Sequence, residues 1–223
     1  MQRTGGVSVY ATGLPPKVLG IGGATDVAIA DIGAWSIAHP PTTSYRITTG
    51  VQYAMMVDRG GFIATDGHHN RVLRVTRGGD ITEIQTFADL VPTGLESEDG
   101  RFWLTQAGPV PNVPDTGRVL TFSRSGRPAT EVAHGASLLD VEFGPRHQLY
   151  ALSQGQWDGV GEGTPALPNT GRLVRVTRDG ALEPVVDRNG NPIVLDRPTS
   201  MEFGGDTAYV VSLTGDVYTV SDL

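Results

Sequence analysis

Residues equipped for chemistry are sparse in this sequence and fall in a few places. Asp140 stands among apolar neighbours in Leu138-Leu139-Asp140-Val141. Asp66, His68, His69 and Asn70 crowd one short stretch. Thr93, Thr199, Ser200 and Asp26 sit where apolar runs begin, and Gln106, Gln154, Trp157 and Asp158 open stretches rich in Pro and Gly. A carboxylate such as Asp140 offers an oxygen to a ligand or to a divalent cation, Ca, Zn or Mn. The same group at the start of a crowded strand also accepts backbone N–H bonds. Asp66 and Asn70 are types that brace a turn through side-chain to backbone bonds. Adjacent histidines on a tight turn point different ways, which works against His68 and His69 sharing a metal. Trp157 is either a stacking platform or a cover over apolar surface.

The chain carries no nucleophile elbow, P-loop, dinucleotide fingerprint, H-E-x-x-H pair or EF-hand loop, and no Ser-His-Asp set is identifiable. A serine hydrolase, kinase or dehydrogenase is therefore not expected. The formal net charge is -7 and no Lys/Arg run occurs, so nucleic acid is not an expected partner. Cysteine is absent, which excludes disulfides and thiolate metal sites. No apolar run is long enough to span a membrane. Residues 1–7 have one Arg and no apolar h-region, so no signal peptide is expected.

The elements that must position these residues come from a repeat. A short apolar run, a turn and a second run occur at Met55–Thr65, Thr93–Thr105, Asp140–Leu152 and Ser200–Val211. The second runs centre on Ile63, Trp103, Tyr150 and Tyr209, about 40 to 60 residues apart. A third run follows each: Arg71–Val75, Arg118–Phe122, Arg172–Val176 and Asp216–Val220. A fourth follows the first three, at Ile81–Ile84, Ala129–Val132 and Leu182–Val186. Hairpin chemistry repeated in units of four strands predicts an all-β propeller of antiparallel blades. The 39% apolar content supports a sizeable core, and the 30 Gly and 15 Pro punctuate it as turns.

The last unit lacks its fourth strand, while Val7–Ala11 is an orphan strand near the start. Closure is expected by pairing the two, which removes an open edge. A weaker unit precedes Val51, with runs at Thr25–Ile29, Ala34–Ile37 and Tyr45–Ile47. The expected layout is one domain over residues 1–223, with about five blades or an incomplete six-bladed ring. Residues 7–14 form the closing strand, 15–50 the weak blade, and 51–90, 91–136, 137–194 and 195–223 the regular blades.

With blade strands named A to D from the axis outward, A–B and C–D turns share one face and D–A and B–C connections the other. The A–B and C–D turns are short here. The B–C connections at Ala107–Gly117 and Gln154–Gly171 are long, which directs function to that face. The candidate binding residues are Asp140, Asp66, His68, Asn70, Gln106, Gln154, Trp157, Thr93 and Thr199, with Asp140 also the candidate metal ligand. Glu96, Glu142 and Glu202 recur at equivalent places and read as blade packing or surface.

Ile63–Val75 resembles the NHL core motif, an Asp-x-x-x-Asn turn before a strand. Leu138–Pro145, the Gly-rich excursion Gly159–Gly171 before Arg172–Val176, and Ala11–Pro15 are similar to segments of the ScyD/ScyE family, propellers linked to assembly of the pigment scytonemin. The resemblance implies an exported protein, periplasmic or extracellular, although this sequence has no signal; otherwise a cytoplasmic one is implied. The related gluconolactonase/regucalcin propellers hold a divalent metal on the axis through Glu, Asn and Asp. Of the corresponding strand starts here, Thr93, Leu139 or Asp140, and Thr199, Asp140 alone offers a ligand. Two functions are expected from different classes. One is a binding propeller for a small molecule, glycan or protein. The other is a metal-dependent hydrolase or lyase using Asp140 with Asp26, Asp66 or His68.

Overall fold

The computed structural model describes residues 7–11, 29–109, 113, 115–125, 127–159 and 164–223. These form four antiparallel four-stranded sheets. The first holds β2 (Met55–Asp58), β3 (Gly61–Asp66), β4 (Arg71–Thr76) and β5 (Ile81–Thr86). The second holds β6 (Pro92–Glu98), β7 (Arg101–Gln106), β8 (Gly117–Ser123) and β9 (Thr130–Gly135). The third holds β10 (Leu138–Phe143), β11 (Leu149–Ser153), β12 (Arg172–Val176) and β13 (Leu182–Pro184). The fourth joins β14 (Pro198–Gly204), β15 (Thr207–Ser212) and β16 (Val217–Val220) to β1 (Val7–Ala11). The expected pairing is thus present: β1 runs antiparallel to β16 with Val7 opposite Val220 and Val9 opposite Tyr218, and completes the fourth blade. The fold is a β-propeller.

Local sequence explains the blades. The β2–β3 turn puts Arg59 and Gly60 at φ 41° and 78°, and the β6–β7 turn puts Asp99 and Gly100 at 50° and 77°. Two successive positive φ values match the right-handed twist of a tight hairpin. The strands lack polar alternation because each inner blade is buried on both faces. In β11, Leu149 and Ala151 pack toward the second blade, while Tyr150 and Leu152 pack toward the fourth. In β7, Phe102 and Leu104 face the first blade, and Trp103 meets Phe143 of the third with ring centroids 5.4 Å apart. Each fully buried Leu or Phe among them contributes about 1.5–3 kcal/mol, so the stacking of blades supplies the cohesion.

The weak unit before Val51 differs from expectation. Ala34–Ile37 is not a strand but lies within helix α1 (Ile32–Ala38). Asp31 caps it by accepting the Ala34 N–H at 2.8 Å, which favours a helical start over an extended one. Tyr45–Ile47 forms no strand, and residues 25–28, including Asp26, lie outside the described residues. Helix α1 is docked on the first blade by a buried polar knot. Arg71 Nε donates to Asp66 Oδ2 at 2.9 Å, and its Nη2 donates to Ser36 Oγ at 3.0 Å and to His69 Nδ1 at 2.8 Å. His69 Nε2 in turn donates to the Ile47 carbonyl at 2.9 Å, and the Arg71 guanidinium lies 4.8 Å over the Trp35 ring.

Candidate functional site

The inner strands approach one another closely. Gly94 of β6 lies so near β10 that an added Cβ would sit 2.4 Å from the Asp140 Cα, so no larger residue fits there. Buried side chains tie each blade to the next. Thr65 Oγ1 donates to the Thr93 carbonyl and Thr93 Oγ1 to the Leu138 carbonyl, both at 3.0 Å. Asp140 carries the chain of links onward: its Oδ2 accepts the Met201 N–H at 2.7 Å, and its Oδ1 accepts the Val141 N–H at 3.0 Å. The acceptor role anticipated for an Asp at this strand start is the one its two oxygens perform. Asp140 also departs from the repeat. In the first two blades the strand B hydroxyls of Thr65 and Thr105 accept the N–H of Ala54 and Gly94, at 2.9 Å each. In the third blade Leu152, opposite Asp140, has no hydroxyl.

Above these links opens a cavity of about 550 Å³. Its lining comes from the inner strands A themselves and from residues that precede strands A or follow strands B, so it runs along the inner strands and opens on the face of the D–A and B–C connections. Tyr53, Met55, Leu95, Leu139, Trp157 and Leu213 give it an apolar and aromatic wall. Thr93, Asp140, Glu142, Gln154 and Thr199 supply the polar positions. Trp157 is held by its Nε1–H donating to Thr164 Oγ1 at 2.7 Å, and Gln154 Oε1 accepts the Ala166 N–H at 3.3 Å.

The electrostatics are one-sided. Burial pushes the Asp140 carboxyl up to about 7, against the stabilising N–H bonds from Met201 and Val141, and the charges of Glu202 and Glu96 push the same way as burial. Glu142 is raised too, first by burial, then by its hydrogen bond to Glu96 and the negative charge around it. Among the described residues no Lys, Arg or His lines the cavity. Nor, among them, is any group of three or more His, Cys, Asp or Glu arranged to hold a metal ion.

Five of the nine candidate binding residues meet at this cavity, Asp140, Gln154, Trp157, Thr93 and Thr199, and Ser200 lines it beside them. Four do not. Asp66 is fully buried in the knot that docks α1. Asn70, at φ 55°, orients its amide nitrogen to Gly67 and Leu90 carbonyls and braces the turn. His68 lines a separate crevice of about 40 Å³ with Tyr45 and Asp89; burial lowers its pKa, as does the charge of Arg46. Gln106 is buried, its Nε2 donating to the Leu90 carbonyl at 3.4 Å. Glu142, which its recurrence with Glu96 and Glu202 marked as blade packing or surface, lines the cavity. The signal was its spacing two residues from Asp140 on one strand, which puts both side chains on one face.

No protein-family model and no curated protein matches the chain. Solved structures do. One is a streptogramin B lyase, 17% identical over 76% of this chain, with a TM-score of 0.46. The chain spans about half of that protein's length, 54%. A second is virginiamycin B lyase from Staphylococcus aureus, 14% identical, covering 78% of this chain and 67% of that one, with a TM-score of 0.49. A third is a GH43 beta-xylosidase/alpha-arabinofuranosidase from a compost microbial metagenome, 16% identical over 81% of this chain and 77% of its own, with a TM-score of 0.50. At such identities the likeness is one of fold alone.

Proposed function

We propose that this chain is a ligand-binding propeller whose site is the axial cavity, in the manner of the ScyD/ScyE proteins it resembles. The observation that carries the reading is the placement of the cavity: about 550 Å³ of largely apolar concavity, with a few convergent polar groups, on the face with the long connections. The volume suits a small molecule better than a protein segment. A small molecule enters between Trp157 and the strand starts, stacks on the indole, and meets Thr93, Thr199, Gln154 and the two carboxyls below. The family resemblance supports an exported location.

The test uses the tryptophan in the wall. The chain has 3 Trp, of which Trp157 alone is among the described lining residues. A ligand found by thermal-shift screening is expected to change the intrinsic fluorescence. In Trp157→Phe that change is expected to disappear while the thermal shift persists. Ligands that stabilise the protein yet leave Trp157 unaffected would place binding elsewhere and refute the reading. The alternative, a metal-dependent hydrolase or lyase, predicts a bound divalent cation after purification that Asp140→Ala loses.

A further inference from the structure

We infer that the molecule accepted by the axial cavity is an apolar or aromatic one bearing a basic nitrogen. The inference rests on the reading of the cavity as a binding site and adds the ligand's chemical class. Asp140 and Glu142, the acidic side chains of the described lining, face no Lys, Arg or His there. Among the described residues Glu142 has no cationic partner, and its hydrogen-bonding neighbour is another carboxyl, Glu96. Glu202 adds a further negative charge nearby. Acidic groups that are buried, as Asp140 is, or half-buried, as Glu142 is, are costly without a cation, and the raised proton affinities of both express that cost. Burial and Glu96 push Glu142 up to about 10, so it keeps a proton at neutral pH; an ammonium takes the place of that proton, which leaves to solvent, and makes a charge-assisted hydrogen bond to the carboxylate.

Other ligand classes fit less well. A carboxylate or phosphate meets repulsion and finds no cationic side chain on the described wall. A divalent metal needs several converging ligands, and among the described residues no such group of three exists. An ammonium needs one carboxylate, and the apolar frame attached to it fills the wall of Leu95, Leu139, Met55 and Trp157.

The experiment is a panel of matched probes sharing one apolar frame, such as 2-phenylethylamine, 2-phenylethanol and 3-phenylpropionate, with bicyclic homologues of each. Affinities are read by Trp fluorescence and ligand-observed NMR between pH 7 and pH 9. The amine is expected to bind about two- to fivefold more tightly than the alcohol, and the carboxylate least, with the amine's advantage growing from pH 7 to pH 9 as the Glu142 proton is more easily released. Glu142→Gln is expected to erase the amine preference while alcohol binding persists, which also shows that the variant is folded. If that variant does not fold, Glu142→Asp, with its carboxyl drawn back by one methylene, is expected to weaken the amine alone. Alcohols or carboxylates binding as well as amines would overturn the ligand class and leave the cavity reading standing. An amine preference that survives both substitutions would overturn the role of Glu142. No binding by any member of the panel would overturn both the class and the cavity reading.

Discussion

Replacing Asp140 by Asn should flatten the pH dependence of stability. In the folded chain the carboxyl titrates at about 7, against 3.8 for the unperturbed group. Between those values the unfolded chain has lost the Asp140 proton and the folded chain has kept it. The folded state therefore holds more protons, and its stability falls as pH rises through the window, levelling off above 7. For a single group with this shift, the loss between pH 5 and pH 8 is about 2–3 kcal/mol. The amide introduced by Asp140→Asn does not titrate, so the substitution removes that slope. The amide keeps one oxygen for the Met201 N–H but turns its N–H₂ toward the Val141 N–H, or the reverse, a fixed cost of about 1–3 kcal/mol. The variant should thus be the less stable protein at pH 5 and should draw level with the parent near pH 7 to 8. The assay is urea unfolding at a series of pH values, followed by tryptophan fluorescence. Glu142 titrates in both proteins and is raised in part by the Asp140 charge, so the difference between the two curves reports Asp140 together with its effect on Glu142. Parallel curves, offset by a constant amount from pH 5 to pH 8, would refute the reading that burial outweighs the two N–H bonds at this carboxyl.

Two further outcomes follow from the same packing. Arg71→Ala leaves the Asp66 carboxylate buried without its cation and should cost about 3–5 kcal/mol, with a change in Trp35 emission as α1 undocks; an unfolding midpoint near the parent's would contradict the knot. Gly94→Ala puts a methyl 2.4 Å from the Asp140 Cα, forcing β6 and β10 apart, and should cost about 2 kcal/mol or more in thermal or urea unfolding, whereas a neutral change would mean the inner strands are not so close.

The blades were legible in the sequence because a hairpin is a local object. Met55–Thr65 or Thr93–Thr105 carries its own turn residues and its own apolar runs, and repetition then names the architecture. The pairing of Val7–Ala11 with Val217–Val220 was legible for a related reason: one unit was short by a strand and one strand lacked a unit. Loop length likewise pointed to the correct face for the cavity. Helix α1 was not legible. It is seven residues long, too short to show helical periodicity, and its polar cap and its docking partner are what make it a helix. Asp66 and His69 looked like turn chemistry because Ser36, which bonds to Asp66 at 3.2 Å, is thirty residues away in the chain. Glu96, Glu142 and Glu202 hold equivalent repeat positions, yet of the three only Glu142 lines the cavity. Composition and spacing fix which side of a strand a residue occupies. Whether that side meets water, a neighbouring blade or an enclosed hollow depends on how closely separate sheets approach. That distance is set by side chains far apart in sequence, and here only the packed structure decided it.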